Sequence, residues 1–149
     1  MPQIARAYID TGKLKYVSRD FPLDNIHKFA RKASEATWCA HDQGKVWEMH
    51  EHLFANQQQL QPEALVQHAQ AVGLDVPAFQ SCLDSGKYTK HINDSLQEGQ
   101  KAGVRGTPAF FLGYTQGNGA EVKTVKFLSG ALPFETFKDN IDKLLASKP

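Results

Sequence analysis

The sequence is short of paired cysteines, of charge of one sign and of long apolar runs, and each shortage excludes a class of function. Its two cysteines, Cys39 and Cys82, stand far apart in the chain, so there is no Cys-x-x-Cys dithiol. Neither has a second Cys or His at ligand spacing, so neither starts a zinc site, and no metal or cofactor is expected. Seventeen basic and sixteen acidic side chains leave a net charge of +1. No basic field points to nucleic acid or to an anionic membrane. No apolar run approaches the roughly 18 residues needed to span a bilayer. The stretch Met1-Pro2-Gln3-Ile4-Ala5-Arg6 is not a charged stub leading into an apolar run, so no signal peptide is visible. Either the chain is cytosolic or its natural N-terminus lies upstream of Met1. No repeat is present, and the only biased stretch is the short Asn56-Gln57-Gln58-Gln59.

What is present reads as one ordinary globular domain of 149 residues, 41% hydrophobic and 22% charged. Pro2 to Tyr8 reads as the end of a helix stopped by Gly12. Lys13 to Asp20 partly alternates and predicts a short strand, broken at Phe21-Pro22-Leu23. From Ile26 to about Ser85 the chain reads as helical. Ile26, Phe29, Ala30, Ala33, Ala36, Trp38, Cys39 and Ala40 form one apolar stripe ending near Gly44. Trp47, His50, Leu53 and Phe54 form a second. Pro62 opens a third helix, with Leu65, Ala69 and Val72 as its stripe and Gly73 as its stop. Asp75 caps a fourth, through Phe79, Cys82 and Leu83 to Gly86. A fifth runs from about Tyr88 through Ile92 and Leu96 to Ala102. The texture then changes. Gly103 to Pro108 is turn-rich, Ala109-Phe110-Phe111-Leu112 is a short apolar strand, Gln116-Gly117-Asn118-Gly119 is a hairpin loop, and Val122 to Leu128 is a second strand. Pro133 opens a final amphipathic helix carrying Phe134, Phe137, Ile141, Leu144 and Leu145.

Five strings in this order carry a resemblance. They are Tyr8-Ile9-Asp10-Thr11-Gly12-Lys13-Leu14, Arg19-Asp20-Phe21-Pro22-Leu23, Gln43 to His50, Cys82-Leu83-Asp84-Ser85-Gly86-Lys87-Tyr88, and Gly103-Val104-Arg105-Gly106-Thr107-Pro108-Ala109-Phe110-Phe111. Together, from Pro2 to Leu145, the chain resembles the DsbA-like thiol-disulfide oxidoreductases. The resemblance implies an α/β fold of thioredoxin type with an inserted helical domain. The inserted part is expected at about 26–102 and the thioredoxin-type parts at about 1–25 and 103–149. In that family a central strand leads into Cys-x-x-Cys at the start of the first helix. Here the chain starts inside that helix, so the first strand and the catalytic dithiol are expected to be missing.

The residues alone leave Cys39 and Cys82 open to two readings, a pair of small core thiols or one disulfide. The resemblance favours a structural disulfide stapling the inserted helices, because such proteins work in periplasmic or other extracytoplasmic compartments. It also implies that Gly106, Thr107 and Pro108 form a cis-proline loop. There the residue before the proline offers its backbone to an extended substrate peptide, as a strand edge does. The implied partners are unfolded or cysteine-containing polypeptides and a redox partner protein, with a second copy able to pair along strand edges left open. A non-catalytic peptide-binding or chaperone module is the alternative. The remaining candidates are weak. Glu48 and His52 stand four apart and could meet on a helix, but two ligands do not make a site, and the six histidines read as surface or half-buried residues. Gly117 and Gly119 precede no strand-to-helix junction, so they form no phosphate cradle. Exchange chemistry needs a thiolate at a helix N-terminus and a resolving cysteine one turn away, and neither is in these 149 residues. In an insulin-reduction assay, residues 1–149 should turn over no faster than a free thiol; faster turnover would show Cys39 or Cys82 to be reactive.

Overall fold

The computed structural model describes residues 2–116 and 121–147. In chain order these form α1 (Pro2–Ile4), a π-helical segment (Ala5–Ile9), α2 (Ala30–His41), α3 (Val46–Ala55), α4 (Pro62–Ala71), α5 (Val76–Ser85), α6 (Thr89–Lys101), β1 (Ala109–Gln116), β2 (Glu121–Ser129) and α7 (Phe134–Ala146). Two compact units result. One joins residues 1–18 to 104–149; the other is the continuous stretch 19–103.

In the 19–103 unit, local chemistry sets the helix ends. Asp75 caps α5 by accepting from the Ala78 N–H at 2.8 Å. Gly44, Gly73 and Gly86 follow α2, α4 and α5 with positive φ, where a Cβ would be strained. Lys45 Nζ donates to the Val72 and Gly73 carbonyls, at 2.8 and 3.0 Å, just past the end of α4. The helices bury a shared core of Ala36, Cys39, Ala40, Met49, Leu65, Ala69, Phe79 and Leu83. Each large side chain in it contributes roughly 1.5–3 kcal/mol of transfer free energy. Cys39 in α2 and Cys82 in α5 are joined by a disulfide, with Cα atoms 5.9 Å apart and a sequence separation of 43. Cys82 is half-buried, not a core residue, because α5 turns it toward Asp42, whose Oδ2 lies 3.8 Å from its sulfur.

Three expectations need correction here. The first inserted helix starts at Ala30, not Ile26. Ile26 is 71% exposed, and its N–H is taken by the Leu23 carbonyl in a preceding turn. The second stripe is split. Met49 and Leu53 face the core, while Trp47 and Phe54 remain 45% and 63% exposed, with His50 stacked between them. Their i, i+3, i+7 spacing marks an outer face. His68 is buried, not at the surface, because both of its ring nitrogens are partnered.

In the other unit, α1 and the π-helical segment end where Tyr8 O accepts from the N–H groups of Lys13 and Leu14, at 2.9 and 3.0 Å, beyond Gly12 at φ +70°. Beyond this stop, Lys13–Asp20 forms no strand, contrary to the alternation. A strand exists only through a neighbour's ladder, and the sheet among the described residues consists of β1 and β2. These pair antiparallel from Ala109↔Ser129 to Gln116↔Glu121, with an irregularity at Leu112/Gly113. The expected hairpin loop, beyond Gln116, lies outside the described residues. The sheet's inner face sends Phe110, Leu112 and Leu128 onto Ile4, Tyr8, Phe137 and Ile141. Phe110 meets Phe137 edge to face at 4.8 Å. Tyr8 donates to Asp142 at 2.7 Å and Tyr114 donates to the Leu144 carbonyl at 2.8 Å, tying both flanks to α7.

Two predictions follow from this packing. Replacing both cysteines by serine releases a long loop in the unfolded chain, a loss of about 4 kcal/mol in the chain-entropy account. The 19–103 unit should then melt roughly 16–32 °C lower, read by circular dichroism; an unchanged melt would show that the bond constrains nothing. At the irregularity in β1, a Cβ on Gly113 would sit 2.2 Å from the Lys123 carbonyl oxygen of β2. Gly113→Ala should therefore destabilise the hairpin by about 1–3 kcal/mol, measurable by urea denaturation.

Candidate functional site

Gly106, Thr107 and Pro108 form the loop that feeds β1. Thr107 and Pro108 are exposed, Gly106 is half-buried, and the Thr107–Pro108 peptide is cis. A proline suits this place because it heads the strand, where its missing N–H costs no interior ladder bond. Its carbonyl is used: Pro108 O accepts from the Gly130 N–H at 2.8 Å, which carries the ladder one step past Ala109↔Ser129. No atom lies within 4 Å of where a Cβ on Gly106 would stand, so the loop faces open space. Below Pro108, toward α7, a cleft of about 290 Å³ opens between Ile4, Phe110, Leu132, Phe134 and Phe137. A smaller hollow of about 40 Å³ continues along β1, walled by Leu14, Tyr16, Leu112 and Ile141.

Thus Gly106, Thr107 and Pro108 are brought together, and so are Cys39 and Cys82, but the two groups belong to different units. The disulfide leaves no free cysteine among the described residues. Beside it, Asp42 accepts from Lys87 Nζ and from Tyr88 Oη, each at 2.6 Å. The Lys87 bond, then the Tyr88 bond, hold the Asp42 carboxyl below its usual pKa; burial, then Asp42, raises that of Tyr88. Neither sulfur lies at a helix N-terminus, where a thiolate would be held, which suits a structural bond more than a reactive one. In the other unit, burial and the bond to Asp142 raise the Tyr8 hydroxyl above its usual range.

Two features were not found by sequence reasoning. One is the apolar cleft beside Pro108. Phe110, Phe134 and Phe137 were assigned to a strand and a helix, but no local pattern says that a strand and a helix leave space between them. The other is the pair His52 and His68. His68 Nε2 donates to the Gln59 carbonyl at 2.7 Å, and its Nδ1 shares a hydrogen bond with His52 Nε2 at 3.0 Å. The two histidines are sixteen residues apart on different helices, out of reach of any spacing rule. Glu48 does not join them into a metal site: no three His, Cys, Asp or Glu side chains converge among the described residues. No helix among those residues is long and apolar enough to cross a membrane.

Comparison with known proteins fits this geometry. Curated relatives include proteins named Na(+)/H(+) antiporter NhaA 3 from Salinispora tropica, 33% identical over 111 residues, and Na(+)/H(+) antiporter NhaA 1 from Salinispora arenicola, 34% identical over 111 residues. Each alignment covers 74% of this chain and 17% of the relative. Na(+)/H(+) antiporter NhaA from Herminiimonas arsenicoxydans is 34% identical over 99 residues, covering 66% of this chain and 16% of that protein. The chain thus spans about a sixth of the length of the curated relatives it matches. A family model described as Thioredoxin matches residues 1–142. With a proline-headed hairpin packed on a C-terminal helix and a block of helices within the chain, the protein belongs to the thioredoxin family and has a thioredoxin-like fold.

Proposed function

We propose that this chain is the polypeptide-binding part of a DsbA-like thiol-disulfide oxidoreductase, acting on unfolded or cysteine-containing secreted polypeptides. The observation that carries the reading is the exposed Gly106-Thr107-Pro108 loop at the head of a strand. An extended substrate laid beside that loop can pair with its backbone, which gives affinity without sequence specificity. The two cysteines within residues 1–149 are bonded to each other, so this chain supplies binding and a dithiol elsewhere in the polypeptide supplies exchange with a redox partner protein. An extracytoplasmic location goes with the reading, since a disulfide between two helices persists best where thiols are not kept reduced.

A second reading is a non-catalytic peptide-binding or chaperone module within a larger protein. It is favoured by the absence of Cys-x-x-Cys from the 149 residues and by the much longer relatives named as antiporters. The natural full-length polypeptide separates the two. Disulfide exchange that survives the double Cys39→Ser, Cys82→Ser change supports the oxidoreductase; no exchange by the unsubstituted polypeptide supports the module.

Both readings need the loop, and Gly106 tests it. Its added side chain meets open space and its φ is not in the left-handed region, so Gly106→Val should fold with an unchanged melting point. The same side chain stands where a peptide must approach. Binding of a carboxymethylated, unfolded polypeptide, followed by fluorescence anisotropy, should weaken at least tenfold; binding equal to wild type would remove the loop from the site.

A further inference from the structure

A hydrogen-bonded pair of histidines ties three segments of the 19–103 unit together. Residues 56–61 connect the end of α3 at Ala55 to the start of α4 at Pro62. Within that connector the Gln59 carbonyl is bound by His68 Nε2 of α4 at 2.7 Å, and His68 Nδ1 meets His52 Nε2 of α3 at 3.0 Å. Leu60 packs on the helical core, and the Gln61 carbonyl accepts from the N–H groups of Ala64 and Leu65 at 2.9 and 3.1 Å. His68 is 5% exposed, whereas His52 is only half-buried.

The number of protons on the pair decides whether this chain of contacts can exist. A carbonyl only accepts, so His68 Nε2 carries a proton in every bonded state. A neutral His68 therefore has a bare Nδ1, which accepts from His52 Nε2. One added proton is accommodated. It sits on the outer Nδ1 of His52, or on Nδ1 of His68, which then donates to a bare His52 Nε2. A second added proton is not accommodated. Both rings then carry N–H on every nitrogen, and two donors and two positive charges face each other across 3.0 Å. His52, the less buried ring, has the route to water. Its departure leaves a buried His68 N–H without an acceptor. His68 regains one only by moving toward water, and Gln59 then loses its partner.

The charged groups on the helices packed around α3 and α4 are engaged elsewhere. On α2, Glu35 is bound by Lys32 and Thr89, Arg31 by Asp24 and Asn93, and His41 lies against Trp38. On α5, Asp84 accepts from Gln80, and Asp75 caps the helix. Lys45 donates to the Val72 and Gly73 carbonyls. On α4 itself Glu63 is exposed in the first turn, and on α3 Glu51 is exposed and His50 lies between Trp47 and Phe54. Glu48 remains. It is exposed and stands four residues before His52, so helix spacing puts it on the same face. One carboxylate there steadies one positive charge on the pair, not two.

We propose that His52 and His68 form an acid-released latch. With at most one added proton between them they tie the 56–61 connector to α3 and α4; with one on each they let it go. The latch is independent of the Gly106–Pro108 loop and of dithiol exchange. Nuclear magnetic resonance of the whole chain tests it. At about pH 8 the ring nitrogens should show a coupling across the His52–His68 hydrogen bond, and the coupling should vanish by about pH 4.5, as the second proton binds. Over that interval the protection of the Gln59, Ala64 and Leu65 amides, measured against their intrinsic exchange rates, should fall about tenfold or more. Phe79 in α5 and Ile92 in α6 should change less than about twofold. His52→Gln supplies the control. Its side-chain amide can donate to His68 Nδ1 or accept from it, so it suits either charge state of His68. Folded with an unchanged melt at about pH 8, this variant should keep the three amides protected at both pH values. An equal loss of protection in the variant would place the acid effect elsewhere and overturn the proposal. So would wild-type amides that stay protected, or a coupling that persists with both rings doubly protonated. Should the variant misfold, the wild-type ring spectra decide alone. Coupling lost at the second protonation supports the latch, and coupling that is absent at about pH 8 or lost at the first protonation refutes it.

Discussion

Backbone hydrogen bonding decides how residues 1–18 and 104–149 are organised. A helix satisfies its own N–H and C=O groups, whereas a strand depends wholly on a neighbour. The ladder between β1 and β2 fixes the inner face on which Phe110, Leu112 and Leu128 meet Ile4, Tyr8, Phe137 and Ile141. It also fixes the position of Pro108, whose carbonyl continues the ladder to Gly130. Loop, cleft and helix α7 are all placed by that one register. Slipping it by one residue would turn Phe110 and Leu112 outward and Phe111 inward, losing the packing on Phe137.

The same constraint separates what the sequence discloses from what it hides. Features set within a few residues are legible. Asp75 as a cap, Pro62 at a helix start, and Gly73 and Gly86 as stops all act through local sterics and local hydrogen bonds, and all stand where the chain chemistry places them. Lys13–Asp20 alternates as a strand should, yet forms none, because pairing is not a local property. Ile26 carries the helical period but lies in a turn, since the Leu23 carbonyl takes its N–H and that of His27. On α3 the apolar period is right but its face is ambiguous. Met49 and Leu53 are buried, and the bulkier Trp47 and Phe54 are left outside. The site divides in the same way. The residues of the loop are readable as a string, but the cleft under Pro108 and the His52–His68 bond arise only when distant segments meet.

The two cysteines show how position in a fold sets chemistry. A reactive thiol needs a helix N-terminus or a neighbouring cation to hold it as thiolate, with access for its partner. Cys39 is 1% exposed in the second half of α2, and Cys82 lies near the end of α5, neither of them at a helix N-terminus. Each setting disfavours attack, and the bond between them holds α2 to α5 around the most buried part of the helical core. In this chain sulfur chemistry serves stability, and the groups that face outward for binding are backbone and apolar carbon.

An open strand edge is a hazard as well as a site, and the two edges of this hairpin are treated differently. β2 carries Lys123 and Lys126 along an exposed strand, and charge of this kind discourages another chain from pairing there. β1 runs Ala109-Phe110-Phe111-Leu112 with no charged residue from Ala109 to Gln116. Protection is therefore placed on one edge and left off the other. An edge that must only avoid aggregation gains from lysine wherever a side chain points outward. An edge that must take in an uncharged strand cannot carry it, because a lysine brought beside that strand would have to be desolvated without a partner. Charge is thus distributed unequally between the two strands of one hairpin, with Lys123 and Lys126 on β2 and no charged residue on β1.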